Sequence, residues 1–216
     1  MLRHRDKGEL VGRPQRPILS RERIFAEALR LIDEEGAEAL TVTRLAARLG
    51  VQAASLYNHV AGRDEIVEGV RELVVMEIDI DALGRGPWRE AIAVWARSYL
   101  AAFARHPNTI RLFATTTIRS PLTLAMYERA VVLLEEAGWP TDRVVAVFTA
   151  IESFTLGSAL DLVAPTVMID PAAQGDTVPR LAIALKGEHP DRAREAFELG
   201  LTALVAGLES LREGGG

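Results

Sequence analysis

The sequence predicts an all-α protein, and three observations carry that prediction. Apolar residues recur at spacings of three and four in segment after segment, strand-like alternation is nearly absent, and prolines stand at the borders of the periodic segments. With 216 residues, 49% of them hydrophobic, the chain can bury a sizeable core in one large domain or two modest ones.

Taken in order, the first helix opens on Ser20 as N-cap, with Arg23 where a capping-box glutamate would stand. Ile24, Phe25, Ala28, Leu31 and Ile32 form its apolar stripe, and Gly36 ends it. A short second helix over about 43–49 and a third over about 53–59 are separated only by Gly50 and Val51. Gly62 breaks the chain before a fourth helix over about 64–80, which leads to Gly84, Gly86 and Pro87. Pro87, Pro107, Pro121 (after a capping Ser120) and Pro190 suit first turns, where a missing N–H costs nothing; they mark helices over about 88–105, 107–117, 121–137 and 190–212, with another over 141–163. Residues 164–189 hold Pro165, Pro171, Gly175, Pro179 and Gly187 and predict a mobile loop with one short helix near 178–185, for nine to ten helices in total. The resulting division is a flexible basic arm (1–19), a three-helix head (20–66), a helical body (67–212) and a disordered tail (213–216).

Charge and composition narrow the function. The formal net charge is -5, yet residues 1–63 carry 11 Lys plus Arg against 8 Asp plus Glu, whereas residues 64–216 carry 14 against 22. A basic head on an acidic body suits a DNA-binding module, because phosphate neutralisation needs local positive charge. The chain has no cysteine, and its histidines (His4, His59, His106, His189) include no pair at i, i+4, so neither a thiolate site nor a two-histidine helix face is available, and no metal or cofactor is expected. No glycine-rich phosphate loop or Gly-x-Ser-x-Gly elbow is present, which argues against an enzyme. The N-terminal residues lack an apolar core and no run of about 18 uninterrupted apolar residues follows, so the expectation is a cytoplasmic protein without a membrane partner.

The informative stretch is LTVTRLAARLGVQAASLYNHVAGRDEI, residues 40–66. Leu45, Ala46 and Leu49 can pack on Val51, Leu56 and Val60, the small Ala46 permits a close crossing, and Gly50 supplies the left-handed turn between two short helices. With Leu56 and Val60 facing inward, the third helix presents Gln52, Ala53, Ser55, Asn58 and His59, small or polar and without an acid, a face that can enter a major groove.

This stretch resembles the TetR family of bacterial repressors: Leu-Ala-x-x-Leu-Gly-Val, then Ser-Leu-Tyr-Asn-His-Val, then Gly-Arg-Asp-Glu opening a long helix. Residues 140–163 and 195–211 are also similar to the C-terminal core of the tetracycline repressors, so the resemblance spans about 20–212. It implies that Thr41, Thr43 and Arg44 meet phosphate, that Ser55, Tyr57, Asn58 and His59 face DNA beside the base readers Gln52 and Ala53, and that Arg63 touches the backbone. Tyr57 could instead cap the small core, and His59 could serve as a donor within the turn.

A single short recognition helix calls for pairing on a palindromic operator of double-stranded DNA, with half-sites about 34 to 36 Å apart, and hence for a homodimer. Val144, Val147 and Ile151 on one late helix and Leu201, Leu204 and Leu208 on another are the expected interface, helped by Gly157, Gly200 and Gly207; the alternative is that they close the chain's own core. The family further implies a pocket for a small organic effector, with Trp95, Tyr99, Phe103, Arg111, Phe113, Met126, Phe148 and Glu152 as candidates. By the resemblance, Arg111 stands where tetracycline repressors place a magnesium-holding histidine, and a guanidinium cannot ligate; Asp161 lies near the other metal-related position without a partner carboxylate. The resemblance therefore implies an anionic or amphipathic organic ligand met by Arg111 or Glu152, and a ligand-released repressor. The same fold also accommodates an activator, or a regulator without effector.

Overall fold

The structure, a computed structural model, describes residues 19–165, 177–185 and 191–214; nearly all of the expected arm, Pro190, most of the 164–189 loop and the last two residues lie outside that range. It is all-helical among the described residues. The head comprises α1 (Arg21–Glu35), α2 (Val42–Leu49) and α3 (Ala53–Leu56). The body follows with α4 (Arg63–Val75), α5 (Trp88–Arg105), α6 (Asn108–Ala114), α7 (Pro121–Glu136), α8 (Thr141–Leu162), α9 (Pro179–Leu185) and α10 (Arg192–Gly214).

Local chemistry sets most of these ends. Ser20 Oγ accepts the Arg23 N–H at 3.3 Å, and Ser120 Oγ accepts the Thr123 N–H at 3.3 Å, so both expected caps hold. Pro121 sits in the first turn of α7 behind that cap, and Pro179 opens α9. Gly50 lies in the left-handed region (φ 70°, ψ 31°) and its N–H reaches the carbonyls of Ala46 and Ala47, closing α2 as the spacing required.

Three expected helices are shorter than their periodicity suggests. α3 is one turn, not 53–59: the Leu56 carbonyl accepts from both His59 (2.9 Å) and Val60 (3.0 Å), a tightened close that turns Val60 into the core. α4 stops at Val75, not Ile80, because Asp79 is itself a cap. Its Oδ1 accepts the Ala82 N–H at 3.1 Å, starting a 3-10 turn over Ile80–Gly84, while its own N–H donates to Ser98 Oγ at 2.9 Å. α6 ends at Ala114 rather than 117, where the Thr115 and Thr116 hydroxyls donate back to the Leu112 carbonyl at 3.2 and 2.9 Å.

α4 joins the two halves: it packs on α1 in the head and on α5 and α7 in the body, while α5 packs on α8 and α8 on α10. The head is also clamped from below. The Asn108 amide donates to the carbonyls of Ile32 and Asp33 at 3.0 Å each, satisfying the C-terminal end of α1. His106 bridges Asp33 (Nδ1, 2.9 Å) and Glu77 (Nε2, 3.2 Å). α8 is long and apolar enough by composition to cross a membrane, and only 33% of its most apolar window is buried within the chain.

Candidate nucleic-acid interface and ligand cavity

The head builds its expected DNA-facing surface on a buried apolar core. Leu45, Ala46, Leu49, Leu56 and Val60 are buried together, so the orientation of α3 on α2 is fixed by packing. Gln52, Tyr57 and Asn58 are exposed, and Ala53, Ser55 and His59 half-exposed, on the side turned away from that core. Tyr57 is 56% exposed, so it caps no core; its ring is available to a partner.

The cations of the head are more committed than their sequence suggests. Thr41 Oγ1 accepts the Arg44 N–H at 3.2 Å as the α2 cap, which leaves its hydroxyl hydrogen for a phosphate; Thr43 is exposed in the first turn beside it. Arg44 pairs with Glu35, and Arg48 with Glu27 (2.7 Å), Glu34 (2.7 Å) and Glu35 (3.2 Å). Arg63 is exposed at the foot of α4, its Nε donating to the Leu40 carbonyl at 3.2 Å. Residues 20–63 carry six Lys plus Arg against six Asp plus Glu, so the positive excess of the first 63 residues belongs to the first 19.

In the body, a partly open cavity of about 250 Å³ is lined by α4, α5, α6, α7 and α8 and by the turn between α6 and α7. Of the eight expected ligand residues it gathers Tyr99, Phe103, Phe113, Met126 and Glu152. Trp95 and Phe148 stand behind its wall instead, their rings 4.7 Å apart, with Trp95 also 4.7 Å from Tyr99. Arg111 is corrected outright: it is exposed on α6 and does not line the cavity. The cation in the wall is Arg71, 4% exposed, which sequence reasoning missed. Its signal was available: one arginine in the apolar run Val67, Val70, Val74 and Val75 of α4.

Arg71 is held from three directions. Its Nε donates to Glu68 at 3.0 Å, its Nη2 to the Thr116 hydroxyl at 2.7 Å, and its guanidinium carbon lies 4.6 Å from the centre of the Phe113 ring. Glu68 in turn accepts the backbone N–H groups of Arg119 (2.7 Å) and Ser120 (2.6 Å) ahead of α7. Across the cavity, Glu152 accepts from the phenols of Tyr99 (2.8 Å) and Tyr127 (2.7 Å). Burial, then the adjacent Glu152 charge, pushes both tyrosines above their ordinary value, so they remain protonated donors. A wider cleft of about 680 Å³ separates head from body, with Arg21, Glu65, Glu68 and Arg119 on its walls; α4 spans it.

The expected dimer residues are also corrected. Val144, Val147, Ile151, Leu201 and Leu208 are buried within this chain, and Leu204 packs partly buried against the same core. Gly200 serves an internal approach as well, since a Cβ there would collide with the Phe154 ring, which stacks on Phe197 at 5.6 Å. The outward faces of the same two helices are the uncommitted ones: Val145, Thr149, Ala150, Ser153, Gly157 and Leu160 on α8, and Leu199, Ala203, Ala206, Gly207 and Leu211 on α10. No group of three metal-ligating side chains occurs among the described residues, and both Asp161 oxygens are taken by Arg192 at 2.8 and 3.1 Å.

Comparison with known proteins matches this arrangement in both halves. Residues 24–70 match the family model of bacterial regulatory proteins, tetR family, and residues 81–212 that of the tetracyclin repressor-like C-terminal domain. The chain is 30% identical over 155 residues to the HTH-type transcriptional repressor DrrR1 of Streptomyces coeruleorubidus, covering 71% of this chain and 57% of that protein. A possible TetR family regulator from Streptomyces coelicolor A3(2) superposes with a TM-score of 0.74 at 31% identity, over 89% of this chain and 100% of the other. The Streptomyces coelicolor TetR family protein ActR, solved in complex with actinorhodin, aligns with a TM-score of 0.70 at 27% identity, covering 89% of this chain and 98% of its own.

Proposed function

The chain belongs to the TetR family of bacterial regulatory proteins, and on that premise we propose that it is a cytoplasmic, ligand-responsive repressor, holding a palindromic operator as a homodimer and leaving it when a small organic effector binds. The observation that carries this reading is the course of α4: Arg63 stands at its foot under the reading head, and two turns later Arg71 lines the body cavity. A compound that rearranges Arg71 acts on the same rigid element that sets the angle of the head. Glu68 strengthens the argument, because it ties α4 to the backbone ahead of α7 beside the Arg71 guanidinium.

In this reading Tyr57, Asn58, Gln52 and Ser55 meet base edges and sugar-phosphate, Ala53 meets thymine methyls, and Thr41, Thr43 and Arg63 fix the register through phosphate. Arg44 exchanges Glu35 for a phosphate, and His59 stands beside the turn that Arg21 holds through the His59 carbonyl at 3.1 Å. The two heads are set at about 34 to 36 Å by pairing of α8 and α10 with their copies through the outward faces that hold Gly157 and Gly207, where no neighbouring element among the described residues comes within 4 Å of a Cβ. The effector binds better to a conformation in which α4 has tilted and that spacing is lost. A coupling of about 1 to 3 kcal/mol weakens operator binding roughly 5- to 150-fold. The similarity to the repressor DrrR1 and to ActR in complex with actinorhodin supports both halves of the reading.

The test is binding selection from random duplex DNA, followed by fluorescence anisotropy on the recovered site. A palindrome with half-sites one helical turn apart is the expected product, and Tyr57→Ala should lower affinity with unchanged helical content. Recovery of no preferred sequence would overturn the reading.

A further inference from the structure

The geometry points to the class of effector that the body cavity takes: a flat, electrically neutral aromatic carrying both a hydroxyl donor and a carbonyl acceptor, a hydroxyaryl ketone rather than an anion. This rests on the effector reading above and makes it specific. Flatness follows from the wall, where Tyr99 and Phe103 stack at 4.6 Å and 26° and Phe113 meets Phe103 edge-on at 6.2 Å. A volume of about 250 Å³ sits below the range of drug-sized sites, which limits the ligand to about one or two fused rings.

The polar requirements come from three groups on the cavity wall, buried Arg71 and Thr123 and half-buried Glu152, that keep hydrogen-bonding capacity to spare. Glu152 accepts from two phenols, and a carboxylate offers about four lone-pair sites, so it has room for a ligand donor and would repel a ligand anion. Arg71 bonds through Nε and Nη2, while its Nη1 takes no hydrogen bond among the described residues and can donate to a ligand acceptor. Thr123 lines the same cavity, is 3% exposed, and its Oγ1 has no hydrogen-bond partner among the described residues. A buried hydroxyl in that state favours a ligand oxygen beside it.

Net charge decides between a ketone and a carboxylate. The Arg71 charge is already met by Glu68, and Glu152 adds a second negative charge, so the cavity and its immediate support carry one cation against two anions. An anionic ligand would raise that imbalance inside a low-dielectric wall, whereas a neutral carbonyl uses the Arg71 and Thr123 donors without it.

The experiment measures binding by calorimetry and thermal shift on the intact protein with 6-acetyl-2-naphthol and 4-hydroxyacetophenone. It compares them with 2-acetylnaphthalene, which lacks the donor, 2-naphthol, which lacks the acceptor, and 6-hydroxy-2-naphthoate, which is the anion. At least one hydroxy ketone should bind, and each of the three others should bind at least about tenfold more weakly, as expected for one lost buried hydrogen bond or one added charge. Thr123→Val should keep the melting temperature of the free protein, since its hydroxyl bonds to nothing, yet weaken the hydroxy ketone. Binding of 2-acetylnaphthalene or 2-naphthol as tight as that of the better hydroxy ketone, tighter binding of the naphthoate, or no binding of either hydroxy ketone overturns the proposal. The same titrations repeated with operator present separate the two readings: binding without release of DNA defeats the effector role and leaves the ligand class standing, while release by an anion defeats the class alone.

Discussion

The Phe25 ring of α1 lies directly against the backbone of α4 at Gly69, so closely that a Cβ there would fall inside the ring's van der Waals envelope. The Arg21 guanidinium sits 5.4 Å from the same ring's centre, so Phe25 has little freedom to swing away on that side. This decides between two opposing effects of Gly69→Ala. In an open helix the change would gain about 1 kcal/mol of propensity; against a pinned aromatic ring it should instead cost about 1 to 3 kcal/mol by overpacking. Urea denaturation of the variant should therefore show a lower midpoint with unchanged slope, and adding Phe25→Leu should restore part of the loss. A midpoint equal to or above wild type would mean that the ring moves freely. Such residue-level facts were only half legible beforehand. Tyr57 and Leu56 are adjacent, but the helical period places one outward and one inward, and the structure agrees. The Phe25–Gly69 meeting and the Arg71–Glu152 cavity join residues far apart in the chain, and no local pattern announces them.

At the scale of elements, the N-terminus of α4 is the joint on which the proposed switch turns, and Glu65 secures it. Its carboxylate accepts the Ala61 N–H at 2.5 Å and pairs with Arg21, which also donates to the His59 carbonyl, so one side chain ties α4 to the turn after α3 and to α1. The backbone N–H of Ala61 above all holds the Glu65 pKa below its ordinary value of 4.5; burial pushes the other way, and Arg21 adds to the lowering. A depressed folded-state pKa means the contribution is fully present above the unfolded value and lost as pH falls through the folded one. The difference in unfolding free energy between wild type and Glu65→Gln should thus be clear at pH 7 and shrink toward zero as acid is added below pH 4.5. A difference that stays constant with pH would remove the charge from the account. Helix starts were readable because Ser20 and Ser120 act on their own next turn. The ends of α3 and α4 were not, because apolar periodicity runs on through Val60 and Ile78 after the helix has stopped, and only Asp79's choice of a new turn breaks it.

For the whole molecule, the all-α class followed from the sequence, but the assignment of α8 and α10 faces did not. Both helices carry apolar residues on two sides, and periodicity cannot say which side meets the chain's own core; Val144 and Leu201 proved internal, leaving Val145 and Leu199 outside. On the proposed homodimer, Gly207→Arg should give a one-chain sedimentation mass with an unchanged circular dichroism spectrum, whereas a dimer persisting at micromolar concentration would move the interface elsewhere. Charge leads to a last consequence. Residues 20–63 are balanced at six cations and six anions, and Arg44 and Arg48 are paired within the head, so the head has little net charge of its own with which to attract a duplex. Residues 1–18 contribute five Lys plus Arg against two Asp plus Glu. Because each phosphate neutralised adds about 0.9 to the slope of log affinity against log salt, deleting residues 1–18 should flatten that slope and weaken operator and random DNA alike. Preference between the two should survive, since the residues proposed to read bases stay in α3 and the turn after it. An unchanged slope would assign the electrostatics to Arg63 and to Arg44 once released from Glu35.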